Sequence, residues 1–262
     1  MGIITLLTDF GTQDGYVGSM RGVILSINAG ATIVDIGHDI PPHDVPAAAF
    51  VLSTAYPYFP ADSIHVVVID PGVGSARRAL AVRTPNGTFV APDNGVLSCV
   101  YARESTYEAV ELTERRFWLS PLSRTFHGRD VFAPVAAHLS LGVPFSKLGP
   151  PIDDPELFAI PEPKLKADGG IEGQIMHVDR FGNLITNVPA RLLTADEVII
   201  RVAGRTASGL LPAYAEVANG ELLALVGSHG YVEVAVRNGS AAQVTGLGRG
   251  AVVLIQAAEQ PR

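Results

Sequence analysis

The sequence has almost none of the residue that builds disulfide frameworks and thiolate metal sites. Cys99 is the only cysteine among 262 residues, which excludes an internal disulfide and a metal site made of several thiolates within one chain. Cys99 lies in the apolar stretch Val96–Tyr101, a setting typical of a core cysteine rather than a nucleophile. We therefore expect a reduced, cytoplasmic compartment.

Positive charge is also scarce, with 19 Lys and Arg against 26 Asp and Glu and a formal net charge of -7. Such a chain has no basic face to neutralise the phosphates of a nucleic acid, whereas a cationic small molecule suits it. No apolar run approaches the roughly 20 residues that span a bilayer. Residues 1–9 reach an acid without a preceding basic region, unlike a signal peptide. We expect a soluble protein that binds neither nucleic acid nor membrane.

Two common ligand-binding patterns are missing from the sequence. No GxGxxG segment occurs, so a nicotinamide-dinucleotide site has no support. The seven histidines show neither HxxxH nor HExxH spacing, the usual arrangements of a zinc site on a helix. We therefore predict neither a metal nor a cofactor.

The first half of the chain alternates short apolar runs with helix-like segments. This order is typical of an α/β domain whose largely parallel central sheet is covered on both faces. The predicted strands are Ile3–Thr8, Thr32–Ile36, His65–Ile69 and Leu80–Arg83, with Pro85-Asn86-Gly87 as a hairpin turn, and the predicted helices are Tyr16–Ile27, Val45–Tyr58 and Asp130–Leu141.

Six prolines between Gly142 and Pro163 predict an interdomain linker. Beyond them, short strands with Gly and Asn turns are typical of a small β-barrel or sandwich. Those strands are Ile171–Val178, Asn183–Val188, Glu197–Val202, Leu222–Val226, Tyr231–Val236 and Ala251–Gln256. We predict an α/β domain over residues 1–160 and a β-barrel-like domain over residues 161–262.

Two predicted strands end in a carboxylate, at the edge where open α/β sheets bind ligands. Asp9 precedes a glycine turn and a helix, and it can accept both hydroxyls of a ribose or simply cap the helix or turn. Asp70 is followed by a glycine loop and the pair Arg77-Arg78. An arginine that folds back onto Asp70 would hold it ionised and oriented, and the alternative is a salt-bridged turn.

The other candidates lie in predicted turns and loops. His127 precedes a helix beside the small Gly128, where it can take a proton from water or bond the backbone as a helix-entry residue. The polar turn Asp179–Asn187 can hold an amino acid or only close a hairpin. The segments Gly227–Glu233 and Asn238–Ala242 place small residues at strand ends, which can meet an adenine edge or form ordinary turns.

Six segments taken together resemble one family, and the resemblance covers nearly the whole chain in the right order. The segments are Thr8–Gly11, Asp70–Gly74, Pro92–Gly95, Phe126–Asp130, Asp179 with Phe181–Asn183, and Gly239–Ala242. The family is that of the S-adenosylmethionine hydroxide adenosyltransferases, or S-adenosylmethionine hydrolases, which are related to fluorinases and chlorinases.

The resemblance implies a hydrolase that uses water to cleave S-adenosylmethionine at the 5′ carbon, giving adenosine and L-methionine. It also implies a homotrimer in which each active site lies between the N-terminal domain of one subunit and the C-terminal domain of its neighbour. The implied catalytic residues are Asp70, Arg77 and His127, and their division of roles stays open. Similar halogenases lack this histidine, so water is the expected nucleophile.

The resemblance implies the substrate contacts as well. Asp9 would hold the ribose hydroxyls, with Asp70 nearby. The residues implied for the methionine and adenosine parts are Asp179, Asn183, Ser228 and Glu233, with Tyr231 and the backbone at Val236 near the purine. The alternatives are a chlorinase-like halide adenosyltransferase and a sensor that binds S-adenosylmethionine without turnover. Either sulfonium epimer remains a candidate substrate.

Overall fold

The computed structural model describes residues 2–193 and 198–257, and Glu197 of the predicted strand Glu197–Val202 lies outside those ranges. The chain divides into two compact units, Met1–Ala159 and Ile160–Arg262. In the described ranges no helix is long and apolar enough to cross a membrane.

A mixed sheet forms the centre of the first unit. Its strands, within the described residues, are β1 (Ile3–Thr8), β2 (Thr32–Gly37), β3 (Ile64–Val68), β4 (Ala79–Thr84), β5 (Gly87–Pro92) and β6 (Glu108–Glu111). They lie in the order β2-β1-β3-β5-β4-β6. The pairings from β2 to β5 are parallel, and β4 pairs antiparallel with β5 and β6. The β4–β5 hairpin turns at Pro85 and Asn86, as predicted.

Helices cover both faces of this sheet. They are α1 (Tyr16–Ile27), α2 (Val45–Ala55), α3 (Ser98–Arg103) and α4 (Ala133–Ser140). Alternate residues of β3 enter different cores: Val66 and Val68 pack with α1 and α4, whereas Val67 packs with α2 and α3. Because successive side chains of a strand point to opposite faces, this split buries β3 on both sides. The predicted α/β class is confirmed.

Three segments of the first unit differ from the prediction. The helix predicted over Val45–Tyr58 ends at Ala55 and continues as a 3-10 turn over Tyr56–Tyr58, since Pro57 has no amide proton for a helical bond. A π-helical turn, Gly128–Phe132, precedes α4. The start of the proline-rich stretch is not a free linker, because Phe145 and Leu148 are buried in the core of the first unit.

The second unit is an antiparallel, β-barrel-like sheet. Its strands, as far as the structure describes them, are β7 (Lys164–Leu165), β8 (Ile171–Val178), β9 (Leu184–Pro189), β10 (Val198–Val202), β11 (Arg205–Ser208), β12 (Leu222–Val226), β13 (Tyr231–Val236) and β14 (Val252–Ala257). The order is β11-β10-β14-β8-β9-β13-β12, with β7 beside β8. The end strands β11 and β12 contact each other, so the sheet curls towards closure. The predicted barrel-like class is confirmed.

Candidate functional site

Asp9 lies directly after β1, at the carboxyl edge of the parallel strands. Its Oδ2 accepts a hydrogen bond of 2.8 Å from the backbone N–H of His43. His43 has a left-handed backbone, with φ of 67°, a conformation that is costly for a residue with a side chain. Asp9 therefore helps to hold a strained turn beside the cavity described below.

Asp70 and Arg77 form a two-point ion pair across the loop that joins β3 to β4. Arg77 Nε donates to Asp70 Oδ1 at 2.8 Å, and the terminal guanidinium nitrogen Nη2 donates to Asp70 Oδ2. The side chains are 5% and 10% exposed respectively, and the Arg77 guanidinium lies over the Phe132 ring. A fork-to-fork pair of this kind fixes direction as well as charge. The arginine predicted to fold back onto Asp70 does so.

The loop depends on a glycine with a left-handed backbone. Gly74 has φ of +78°, and a Cβ added there would lie 2.3 Å from the carbonyl oxygen of Arg124. The β3–β4 loop thus closely approaches the segment that leads to His127. Only a residue without a side chain fits both the angle and the space.

His127 contacts the same arginine. Its Nδ1 lies 3.0 Å from Arg77 Nη2, and because a guanidinium only donates, Nδ1 accepts and the neutral ring carries its proton on Nε2. Burial, followed by the charge of Arg77, lowers the pKa of His127, while Asp70 and Asp130 act to raise it. The imidazole is therefore kept neutral to lower pH than usual.

The loop before His127 is fixed by Asp130, which is buried. Its carboxylate accepts from the Ser123 backbone N–H at 2.7 Å and from Arg129 Nε at 2.6 Å. Gly128 lets the chain pass closely here, since a Cβ would lie 3.3–3.4 Å from Met20 and the rings of Phe10 and Phe126. The π-helical turn that follows is a feature often found at functional sites.

A cavity of about 300 Å³ is lined by Asp9, Asp70 and His127. Arg77 does not line it but contacts both Asp70 and His127. Its walls comprise Asp9, Phe10, Tyr16, Pro42, His43, Val68, Asp70, Val73, Thr125, Phe126, His127 and Gly128. The rings of Phe10, Tyr16 and Phe126 pack on one another with centroids 5.2–5.8 Å apart. An apolar wall with two carboxylates and a neutral imidazole suits a flat, cationic ligand.

Sequence reasoning missed most of this wall. Phe10 and Phe126 lie inside motifs that were identified, so their neighbours gave a signal. No sequence motif around Tyr16 or His43 predicts a place in the cavity. Tyr16 lies at the start of α1 and His43 lies in the loop after β2.

In the second unit, Asp179 and Asn183 meet in the turn between β8 and β9. Asp179 Oδ1 accepts from the backbone N–H groups of Phe181 and Asn183 at 2.9 and 2.8 Å, and its Oδ2 accepts from Asn183 Nδ2 at 2.9 Å. The pair thus closes the hairpin, which was one of the two roles that the sequence allowed for this turn. A Cβ on Gly182 would lie within 2.0 Å of Ser240 Oγ, so the turn packs tightly against the start of the short helix α5 (Ala241–Thr245).

Glu233 on β13 is a buried carboxylate close to that turn. Its Oε1 accepts from the Tyr214 hydroxyl at 2.6 Å, a partner that sequence reasoning missed. Burial raises the pKa of Glu233, the bond from Tyr214 lowers it, and the charge of Asp179 raises it. A cationic ligand group beside Glu233 would stabilise its ionised form.

The remaining predicted residues do not all join this cluster. Ser228 is exposed in the turn after β12, and Tyr231 is partly buried at the start of β13. Val236 lies at the far end of β13, where it is buried and its carbonyl accepts from Gly239 N–H at 3.1 Å. In the described ranges no group of three or more His, Cys, Asp or Glu side chains is placed to hold a metal ion.

Comparisons with known proteins agree along the chain. The profile described as SAM hydroxide adenosyltransferase N-terminal domain matches residues 4–149, and that of the C-terminal domain matches residues 173–254. An (R)-S-adenosyl-L-methionine hydrolase of Salinispora tropica is 40% identical over 246 residues, covering 93% of this chain and 94% of that protein. A fluorinase of an Actinoplanes species is 30% identical over 212 residues, 71% of each. A crystal structure of a conserved Thermotoga maritima protein superposes with a TM-score of 0.90 at 38% identity, covering 96% and 99%.

Proposed function

The chain belongs to the SAM hydroxide adenosyltransferase family, and from that premise we propose that it is an enzyme that uses water to cleave (R)-S-adenosyl-L-methionine into adenosine and L-methionine. The observation that carries the proposal is the contact of Asp70, Arg77 and His127 beside one cavity. This trio supplies a neutral base, a carboxylate and a fixed cation close to one point.

The reaction requires a positioned nucleophile and no general acid. A sulfonium departs as a neutral thioether, so the electron pair of the breaking carbon–sulfur bond needs no proton. Attack by water at the 5′ carbon opposite sulfur must be in line, and positioning of this kind lowers barriers strongly. As the new bond forms, the positive charge leaves sulfur and passes, with the proton of the attacking water, to the base that accepts it. An apolar wall of aromatic rings excludes bulk water from this step.

We assign proton removal from that water to His127. The ring is neutral, and its lone pair on Nδ1 is the one that bonds Arg77. Proton transfer to Nδ1 therefore requires this bond to break as water enters. Arg77 keeps its two bonds to Asp70 when that happens, and Asp70 and Asp130 stabilise the imidazolium that forms. An imidazole, whose ordinary pKa lies close to neutral pH, is a more efficient general base than a carboxylate.

Substrate contacts in this proposal come from both units. Asp9 holds the ribose hydroxyls beside the aromatic wall. Asp179, Asn183, Ser228 and Glu233 hold the methionine part or the adenosine, with Tyr231 and the Val236 backbone near the purine. We propose a cytoplasmic homotrimer in which these second-unit groups complete the first-unit cavity of a neighbouring subunit. What supports this is the division of the candidate contacts between two units.

Product analysis tests the function. Purified protein is incubated separately with the (R) and (S) sulfonium epimers, with and without 0.1 M chloride, and the products are separated by liquid chromatography. We expect adenosine and methionine in equal amounts, formed faster from the (R) epimer and independently of chloride. Formation of 5′-chloro-5′-deoxyadenosine would instead indicate a halide adenosyltransferase, and binding without any product would indicate a sensor.

A further inference from the structure

The segment Asp93-Asn94, directly after β5, has no part in the chemistry described so far, yet it contacts both ends of the loop that carries Asp70 and Arg77. Asn94 Nδ2 donates to the carbonyl oxygen of Ile69 at 2.8 Å. Ile69 immediately precedes Asp70 and is fully buried. A buried carbonyl without a partner is costly, so this amide fixes the backbone where Asp70 begins.

The other end of the loop is held by Asp93. Its side chain is 2% exposed and accepts from Arg78 Nε at 2.8 Å. Its backbone N–H donates to the Arg78 carbonyl at 3.0 Å. Arg77 Nη1 donates to the same carbonyl at 3.3 Å. Asp93 therefore fixes the oxygen that one arm of the Arg77 guanidinium bonds.

Asp93 is itself held in place from two further directions. Its Oδ1 accepts from the Glu156 backbone N–H at 2.8 Å, and Arg78 continues to Asp154, whose Oδ1 lies 2.7 Å from Nη1. Gly95 has φ of +90°, and a Cβ there would lie 3.1 Å from the Phe158 ring. The turn is thus packed against residues 154–158.

We propose that Asn94 and Asp93 are positioning residues, which set the distance between the Asp70–Arg77 pair and His127 by clamping both ends of the intervening loop. This rests on the proposed function, since it assigns the clamp to the reaction at that trio. Neither residue lines this cavity; both act through the Asp70–Arg77 pair, so their replacement should lower turnover more than substrate binding. Shifts of about 1 Å in a reacting group can cost about 100-fold in rate.

The test compares Asn94→Ala and Asp93→Asn with the matched control Asn86→Ala. Asn86 lies at the other end of β5 and donates its side-chain amide to Glu104 at 3.0 and 3.2 Å, away from the 70–77 loop. For each variant, kcat and KM are measured by adenosine release from (R)-S-adenosyl-L-methionine, and Tm by circular dichroism. Asp93→Asn keeps the side-chain volume and the backbone N–H and removes only the carboxylate charge. It therefore still tests the clamp if Asn94→Ala fails to fold.

We expect kcat to fall about 10- to 100-fold in both clamp variants, with KM within about threefold of the parent. Asn86→Ala should keep the parental kcat even if its Tm falls as far as that of the two clamp variants. Parental kcat in the folded clamp variants, or an equal loss in Asn86→Ala, would overturn the inference while leaving the proposed function intact. No adenosine from the parent chain would overturn the proposed function, and the clamp with it.

Discussion

The protonation of one side chain, His127, follows from its burial and from the charges around it. Burial and Arg77 disfavour the imidazolium, and Asp70 and Asp130 oppose them with smaller effect. The pKa of His127 therefore lies below its ordinary value of about 6.5. The imidazole can accept a proton only in its neutral form, so activity should persist to lower pH than an unperturbed imidazole would permit. It should then fall as the ring becomes charged.

Replacement of His127 by alanine should lower kcat by roughly 10²–10⁴-fold, the usual contribution of a positioned general base. KM should stay within a few-fold, because the proposed partner of the ring is water. The acidic limb of the rate profile should disappear as well. The control is His138→Ala, which replaces a histidine on α4 that packs on Phe117. It should keep the parental kcat and the acidic limb of the rate profile.

The result that contradicts this role is a His127→Ala enzyme with near-parental kcat and an unchanged pH profile. His127 would then be a structural helix-entry residue. Asp70 and Arg77 would have to activate the water without it.

At the scale of elements, the β3–β4 loop is sensitive to any added side chain at Gly74. We predict that Gly74→Ala lowers both stability and kcat, because the new Cβ would collide with the Arg124 carbonyl. Gly142→Ala is the matched control, since Gly142 has a similar φ of +85° but open space around it. It should lose only the left-handed backbone penalty of about 1–2 kcal/mol and keep its kcat. Urea unfolding and adenosine release measure the two effects, and parental kcat in Gly74→Ala would refute the prediction.

Strand β3 carries a buried histidine, His65, whose protonation affects stability. His65 is fully buried, its Nδ1 lies 2.8 Å from Thr5 Oγ1, and its ring stacks on Phe89. Burial lowers its pKa to about 4, against about 6.5 in an unfolded chain. Between these values the unfolded chain binds a proton that the folded chain does not. The contribution of His65 to stability is therefore full above pH 6.5 and is lost as the pH falls towards 4, by about 3 kcal/mol.

We predict that His65→Phe flattens the pH dependence of the free energy of unfolding between about pH 6.5 and 4. Thr5→Val removes the hydrogen bond but keeps the imidazole, so it should be less stable at pH 7 and retain the parental slope. Urea titrations at several pH values measure this. An unchanged slope in His65→Phe would show that other groups cause the acid sensitivity.

Local patterns predicted the elements whose apolar spacing is regular. The bounds of β1 and α1 agree with the prediction, because continuous burial and the spacing of Val17, Met20 and Ile24 are each local signals. Short elements were missed: β6 has four residues with charged ends, and α3 has six.

The contacts of the candidate site were only partly predictable. Asp70 and Arg77 are seven residues apart, so their pairing followed from a flexible loop between them. The bond from Asn94 to Ile69 and the bond from His43 to Asp9 join residues 25 and 34 positions apart. They depend on which strands become neighbours in the sheet, and no local pattern specifies that.

At the scale of the whole molecule, the candidate groups divide between two units. The first unit holds Asp9, Asp70, Arg77 and His127. The second holds Glu233 and the turn that contains Asp179 and Asn183. We predict a homotrimer whose activity per chain falls when dilution dissociates it. Sedimentation equilibrium at micromolar concentration, paired with assays at the same dilutions, measures both. Monomers with full activity would refute the trimer and the shared site.

The central claim is that water attacks the 5′ carbon of the sulfonium substrate. Turnover of (R)-S-adenosyl-L-methionine in water enriched in ¹⁸O tests it most directly, with mass spectrometry of both products. We predict one ¹⁸O atom in adenosine, on the 5′ oxygen, and none in methionine. Adenosine without the label, or label found in the methionine fragment, would contradict it.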